Sequence, residues 1–191
     1  MEEIIKIEKG VEVEEIIKKA VEVMREGGVI LYPTDTIWGI GCDARNAEAV
    51  EKIYRIKERD HNKSMLILVA EQPEGITLPT IDSRPTTYIV PAQRLPYPLA
   101  ENLIAQDGTI GFRIPRHDFC QRLIAALGSP IVSTSANFSG KPSPRSFEEI
   151  DERLKEEMGY CVPPLPAFES GEKQGSRIIK ITPEGVIVIR G

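Results

Sequence analysis

The chain has 191 residues, 41% of them apolar and 28% charged, and its formal net charge is −5. This length predicts a single domain spanning residues 1–191, and the acidic balance disfavours a protein that grips nucleic acid by bulk charge. Cys42, Cys120 and Cys161 form no C-x-x-C pair, and an odd number of cysteines makes a poor disulfide framework, so we expect a reduced, cytoplasmic protein. No apolar run approaches the length of a membrane span, and we expect no membrane partner.

The spacing of apolar residues alternates along the chain between a helical and an extended pattern. In chain order, the predicted elements are a helix over 13–24, ended by Gly27 and Gly28; a strand over 29–32; a helix capped by Asn46; a central strand over 65–69; a loop over 71–84; strands over 86–90 and 109–114; a helix over 119–127; a helix begun by a capping box of Ser146 and Glu149; and a hairpin of 178–181 with 186–189. This alternation predicts an α/β fold with a mixed sheet.

A dense polar run follows one of the apolar segments. Ser133–Asn137 comes directly after Pro130–Val132. This pattern predicts a buried strand that ends in a polar loop, and open α/β sheets bind ligands at such strand ends. Its hydroxyl groups and carboxamide can make several short hydrogen bonds to a small polar molecule. Taken alone, however, the run favours a turn that satisfies its own backbone.

Three cations lie between the second predicted helix and the strand over 65–69. They are Lys57, Arg59 and Lys63. Cations at this position are typical of helix C-termini and of solvated surfaces. They are equally typical of a clamp for phosphate groups, and their spacing leaves both interpretations open.

The common nucleotide and zinc motifs are absent. No G-x-G-x-x-G follows a predicted strand, and Gly140-Lys141 is followed by proline and lacks the Walker glycine spacing. His61 and His117 are distant from each other in the sequence and from the scattered cysteines, so the sequence predicts no structural zinc site.

Five segments of the chain occur in the order typical of one known family. They are Tyr32-Pro33-Thr34-Asp35-Thr36-Ile37-Trp38-Gly39-Ile40-Gly41-Cys42-Asp43; Lys57-Glu58-Arg59 with Lys63; Gly111-Phe112-Arg113-Ile114-Pro115; Ser133-Thr134-Ser135-Ala136-Asn137-Phe138-Ser139-Gly140; and Val188-Ile189-Arg190-Gly191. Together they resemble the YrdC/Sua5 family, and in particular its threonylcarbamoyl-AMP synthases of the short, single-domain, TsaC-like type. The resemblance extends from residue 32 to residue 191.

The resemblance implies a YrdC-like fold, which is an open, twisted mixed sheet flanked by helices around a concave basic pocket. It implies a nucleotidyltransferase that makes threonylcarbamoyl-AMP and pyrophosphate from L-threonine, bicarbonate and ATP, with Mg²⁺ accompanying the ATP. The implied partners are the proteins that use the product for the t6A modification of tRNA. Weak direct binding of tRNA or RNA is a further interpretation.

The resemblance also implies a set of site residues, carried over motif by motif. The catalytic cations are Lys57, Arg59 and Lys63; the threonine-binding residues are Thr36, Arg113, Ser133 and Ser176; and the ATP-binding residues are Arg59, Lys63, Thr109, Ser135, Asn137, Ser143 and Arg190. Their chemistry suits these roles, because cations offset the charge of a triphosphate and a guanidinium fits a carboxylate. Asn137 either braces its loop or touches phosphate, and no protein metal site is expected.

Other functions remain open at this stage. A YciO-like paralogue and a non-catalytic RNA-binding protein of the same fold would share these motifs in part. The intact K-x-R and S-A-N motifs disfavour the YciO-like paralogue, and the negative net charge disfavours the RNA-binding protein. A hydrogenase-maturation carbamoyltransferase would add cysteine-rich zinc motifs, which this sequence lacks.

Overall fold

The computed structural model describes residues 2–60, 65–79, 81–166 and 174–191, which form four helices and nine strands. In chain order these are α1 (Glu2–Arg25), β1 (Ile30–Tyr32), β2 (Gly39–Gly41), α2 (Ala47–Ile56), β3 (Leu66–Leu68), β4 (Thr86–Pro91), β5 (Thr109–Arg113), α3 (Asp118–Leu127), β6 (Ile131–Ser135), α4 (Glu152–Glu156), β7 (Tyr160–Cys161), β8 (Arg177–Thr182) and β9 (Gly185–Arg190). Single 3₁₀ turns follow β4, at Ala92–Arg94 and Glu101–Leu103.

All of these strands belong to one mixed sheet. Its order is β7-β1-β2-β6-β3-β5-β4-β8-β9. β3 pairs with β6 in the antiparallel direction and with β5 in the parallel direction. The predictions of a mixed sheet and of a central strand over 65–69 are therefore confirmed.

The two faces of the sheet carry separate apolar clusters. On one face, α1 and α3 pack over Tyr32, Leu68 and Ile131. On the other face, α2 packs over Leu31 and Ile67, because successive side chains of a strand point in opposite directions. Helices therefore cover both faces of the central strands.

Helix ends show where local sequence signals hold and where one fails. The Asn46 side chain accepts a hydrogen bond from the amide of Ala49 at 3.0 Å, so the predicted cap of α2 is confirmed. α3 ends at Gly128, whose φ of 74° is accessible to glycine without strain. The predicted capping box of Ser146 and Glu149 is wrong. Asp151 caps α4 instead, and the Glu149 carboxylate accepts from the amide of Arg145 at 2.7 Å.

Strands β2 and β7 were not predicted, and β6 is longer than predicted. β2 is Gly-Ile-Gly, which has little intrinsic strand preference, and it forms because β1 and β6 pair with both of its edges. β7 holds only Tyr160 and Cys161. β6 continues through Ser135, so the first three polar residues after Val132 belong to the strand and not to a loop.

The three cysteines are free, which agrees with the expected lack of a disulfide framework. Burial raises the pKa of the Cys42 and Cys120 thiols, so neither is poised as a thiolate. No helix in the described part of the chain is both long and apolar enough to cross a membrane.

Candidate active site

A cavity of about 480 Å³ opens on the sheet face that α1 and α3 partly cover. Along β6, Ile131 packs beneath these helices, whereas Ser133 and Ser135 on the same face line the cavity. Leu66 in β3 and Arg113 in β5 continue the floor. The site therefore lies where the strands extend past the helical cover, and its volume is in the range of small-molecule sites, roughly 300–1,000 Å³.

The cavity brings together most of the residues that the sequence assigned to a site. Its lining includes Thr36, Arg59, Arg113, Ser133, Ser135, Ser143, Ser176 and Arg190. These residues come from segments up to 154 positions apart in the chain, from Thr36 to Arg190. Three arginines line the cavity, and no acidic side chain does so among the described residues. This lining suits an anionic ligand that also offers hydrogen-bonding groups.

Arg113 is the most deeply buried charge in the cavity wall, with 3% of its surface exposed. Its Nη1 forms an ion pair with the Asp35 carboxylate, and its Nη2 donates to Thr36 Oγ1 at 3.4 Å. The other Asp35 oxygen accepts from the amide of Arg116 at 3.0 Å, which fixes the carboxylate. The Nε of Arg113 is buried and has no hydrogen-bond partner among the described atoms. The guanidinium is therefore held rigidly, and one of its N–H groups is buried without a partner.

The turn before β2 places the Thr36 hydroxyl beside this guanidinium. Thr34 Oγ1 accepts from the amide of Thr36 at 3.1 Å and donates to the carbonyl of Ile37 at 2.8 Å. The hydroxyl oxygens of Thr34 and Thr36 are 3.0 Å apart. Both side chains are buried, so this turn presents a fixed hydroxyl to the cavity.

Ser176 also lines the cavity, and two contacts fix its position. Its hydroxyl oxygen is 2.7 Å from Thr87 Oγ1, and both side chains are buried. Its carbonyl accepts hydrogen bonds from Nε of Arg190, at 3.0 Å, and from Nη2 of the same guanidinium. The guanidinium packs directly against the main chain here, since a Cβ at Gly175 would lie 2.9 Å from Arg190 Nη2. Arg190 is thus fixed over the cavity by the segment next to it.

The two cations of the K-x-R motif, Lys57 and Arg59, lie in different surroundings. Glu58 between them has a φ of 50°, an uncommon value for a residue other than glycine. After this turn Arg59 lines the cavity, and its burial lowers its pKa. Lys57 does not line the cavity and is only 1% exposed. Its burial, with a smaller effect of the nearby Arg59, lowers its pKa to about 7.

The structure thus corrects the interpretation of Lys57 as a member, with Arg59, of one phosphate clamp in the cavity. The third predicted cation, Lys63, and the nearby His61 lie outside the described residues. Thr109 is not in the cavity lining, and its hydroxyl donates to Asp107 Oδ1 at 2.6 Å at the far end of β5.

Asn137 also lies outside the cavity lining and ties its loop together. Its Nδ2 donates to the carbonyls of Phe138, at 3.0 Å, and Lys141, at 2.7 Å. Of the two roles considered for Asn137, this geometry is that of the loop brace.

Sequence reasoning assigned no role to Thr87 or Asp35, which also shape the site. Trp38, a member of the quoted motif, forms part of the cavity wall and contacts Phe147 edge to face, with ring centroids 5.0 Å apart. Thr87 and Asp35 orient Ser176 and Arg113 through the contacts given above. Asp35 lay inside the quoted motif, but nothing local indicated that its partner would be a residue 78 positions away.

A second cavity, of about 640 Å³, lies between α2, α4 and Phe138. Its lining mixes cations such as Arg55 and Arg153 with the acidic Glu58 and Glu157. None of the predicted site residues lines it, so volume alone does not identify the functional site.

Taken together, these features define a class of protein: an open α/β sheet with an arginine-lined, hydroxyl-rich cavity for a small anionic substrate. Comparison with known proteins gives the family. Residues 22–191 match the Sua5/YciO/YrdC family model, which carries the description "Telomere recombination". The chain therefore belongs to the Sua5/YciO/YrdC family.

Individual relatives refine this assignment. The chain is 38% identical over 149 residues to the threonylcarbamoyl-AMP synthase of Stenotrophomonas maltophilia, covering 71% of this chain and 78% of that protein. It superimposes on the structure of P. abyssi Sua5 complexed with L-threonine with a TM-score of 0.72 and 25% identity. That match covers 91% of this chain, which spans about half, 53%, of the P. abyssi chain. E. coli YciO matches with a TM-score of 0.67 and 25% identity, covering 92% of this chain and 88% of YciO.

Proposed function

We propose that this protein is a threonylcarbamoyl-AMP synthase and that the cavity binds L-threonine and ATP together. The single observation that carries the proposal is the lining itself: three arginines with fixed hydroxyl groups between them. An amino acid with a carboxylate and a hydroxyl, and a nucleotide with a triphosphate, supply the complementary groups. The relatives named as threonylcarbamoyl-AMP synthases support the choice of these two ligands.

In this proposal Arg113 binds the carboxylate of threonine. The guanidinium, which lines the cavity, donates to a carboxylate oxygen, while Asp35 holds its plane. Thr36, Ser133 and Ser176 surround the amino acid with hydroxyl groups, and the hydroxyl of threonine needs such a partner once it is buried. Binding the substrate hydroxyl makes the site selective for threonine over an apolar analogue.

ATP, carried as its magnesium complex, binds along Arg59, Ser135, Ser143 and Arg190. The phosphates hold the magnesium ion, since no group of three or more metal-ligating side chains occurs within the described ranges. Arg59 and Arg190 offset the negative charge of the triphosphate. These cations act by position and charge, so the reaction needs no covalent intermediate on the protein.

In this proposal the reaction has two steps. The amine of threonine attacks bicarbonate, water leaves, and N-carboxythreonine forms. A carboxylate oxygen of this carbamate attacks the α-phosphorus of ATP, the bond from that phosphorus to the bridging oxygen breaks, and pyrophosphate leaves. The product is threonylcarbamoyl-AMP, a mixed anhydride that we propose is passed to the proteins that modify tRNA.

Release of pyrophosphate tests this function. We expect release from ATP to require both L-threonine and bicarbonate, and omission of either to abolish it. Valine, which is nearly isosteric but lacks the hydroxyl, should be poorer by about 10²-fold or more, and serine by roughly 10-fold. Release that is independent of threonine, or equal with valine, would contradict the proposal. Salt-sensitive RNA binding without any pyrophosphate release would favour the non-catalytic alternative.

Arg190 gives a prediction of its own. Replacing Arg190 with alanine should raise the KM for ATP roughly 10-fold, because one charge-assisted contact is worth about 1.5 kcal/mol or more. The KM for threonine should change less, since the contact with Thr87 still holds the Ser176 hydroxyl. Steady-state kinetics with each substrate varied in turn measures both values. The control is Lys180→Ala, which removes a cation from the neighbouring strand that pairs with Asp107 away from the cavity. An unchanged KM for ATP in the Arg190 variant would show that Arg190 ends a strand and takes no part in ATP binding.

A further inference from the structure

Lys57 is buried directly beneath the loop that follows β6. It is the C-cap of α2, and its side chain is among the largest fully buried side chains of the protein. Its Nζ donates to the carbonyl of Asn137 at 2.6 Å and to the carbonyl of Ser135. Its own carbonyl accepts from the amide of Ser139 at 2.9 Å. One residue thus makes three hydrogen bonds to a five-residue stretch 78 to 82 positions away.

These contacts fix the orientation of the peptide groups in that stretch. The Ser135 carbonyl turns toward Lys57, while the amide of Ala136, in the same peptide plane, points the opposite way and donates to Trp38 at 3.0 Å. Ser135 and Trp38 both line the cavity. The buried Nζ of Lys57 therefore helps to position Ser135 in the cavity wall, although Lys57 itself does not line the cavity.

Two hydrogen bonds accompany the burial of the Lys57 side chain. Taking an amine out of water is costly unless it gains hydrogen bonds, and two main-chain carbonyls supply them here. An apolar residue at this position would fill the space without that cost. It would leave the Asn137 carbonyl without this donor, whereas the Ser135 carbonyl would still accept from the amide of Asn137 at 2.9 Å.

We propose that Lys57 is a positioning residue, whose Nζ hydrogen bonds hold the Ser135–Asn137 segment in the conformation that binds the nucleotide. The inference rests on the proposed function, in which ATP lies along Ser135 and Arg59. Lys57 acts through the main chain of the segment and does not touch the substrate. Arg59, two residues later, is the one of the pair that faces the cavity.

The test replaces Lys57 with methionine, which has a similar length and no donor. The sole tryptophan, Trp38, lies in the cavity wall, so its fluorescence can follow binding of threonine and of a non-hydrolysable ATP analogue separately. We expect the Lys57→Met variant to lose about 10²-fold in kcat/KM for ATP and to bind the ATP analogue correspondingly more weakly. Its affinity for threonine should change less than about 3-fold, because Arg113, Thr36 and Ser176 are held by other contacts.

Lys52 provides the matched control. It lies on the same helix, and its Nζ donates to a single main-chain carbonyl, that of Gly27, at 2.8 Å. The Lys52→Met variant should keep wild-type affinity for both ligands. Lys57→Gln, which retains an N–H donor, should recover part of what Lys57→Met loses, and it takes the place of that variant if the methionine chain does not fold.

Two outcomes would overturn the proposal. Wild-type ATP kinetics in Lys57→Met would show that the segment keeps its conformation without the hydrogen bonds from Nζ. Equal losses of ATP and threonine affinity, or failure of both Lys57→Met and Lys57→Gln to fold, would show that Lys57 stabilises the fold in general. A wild-type protein that binds neither ligand would instead refute the proposed function, so the two failures are distinguishable.

Discussion

Replacing Arg113 with methionine is expected to lower kcat/KM for threonine by roughly 10²- to 10³-fold, since it removes the donor assigned to the carboxylate. The same change should also destabilise the fold by about 3–5 kcal/mol, because the Asp35 carboxylate, only 9% exposed, would lose its cation. Pyrophosphate release measures the first effect, and urea unfolding measures the second.

The two effects can be separated by changing Asp35 as well. The double variant Arg113→Met, Asp35→Asn no longer buries an unpaired charge, so most of the lost stability should return. Activity should not return with it, because the guanidinium is still missing. Recovery of threonine use in the double variant would show that Arg113 serves the fold and not the substrate.

Replacing Arg59 with alanine is expected to lower kcat/KM for ATP by roughly 10²-fold or more, because the variant loses a cation that lines the cavity. Threonine affinity, followed through Trp38, should stay close to that of the wild type. The effect should fall mainly on the transition state, where charge moves onto the leaving pyrophosphate.

Arg55→Ala is the matched control for this variant. Arg55 is an exposed cation in the last turn of α2, four residues before Arg59, and it faces the second cavity. Its loss should leave ATP kinetics unchanged. Equal turnover in the Arg59→Ala variant and the wild type would contradict the role given to Arg59, whereas equal losses in both variants would point to a diffuse effect of net charge.

Much of the fold could be predicted because its signals are local. The apolar spacing over 13–24, the Asn46 cap of α2 and the αL glycine that ends α3 each depend on residues within about one turn. The prediction began at residue 13, whereas α1 begins at Glu2. The hairpin of β8 and β9 is equally local, with paired residues from Thr182–Gly185 outward. One local signal misled: the capping box predicted at Ser146 and Glu149 was wrong, and Asp151 caps α4.

Elements without a strong local signal could not be predicted. The Gly-Ile-Gly of β2 is extended because it lies between β1 and β6. The same holds for the polar end of β6, where Ser133 pairs with Leu66 and Ser135 pairs with Gly39. Such pairings join residues distant in the chain, and their hydrogen bonds override the preference of small polar residues for turns.

By itself, the sequence determined the family, the class of fold and the types of residue available for the chemistry. The resemblance assigned Thr36, Arg113, Ser133 and Ser176 to one site, and in the structure all four line one cavity. Only the tertiary structure decided which groups face that cavity. Lys57 and Arg59 are two residues apart and look alike in the sequence, yet the turn at Glu58 buries one beneath a loop and leaves the other in the cavity wall. The physical reason is that the surroundings of a charged side chain, its burial and its partners, come from packing between distant segments, and a local pattern does not contain them.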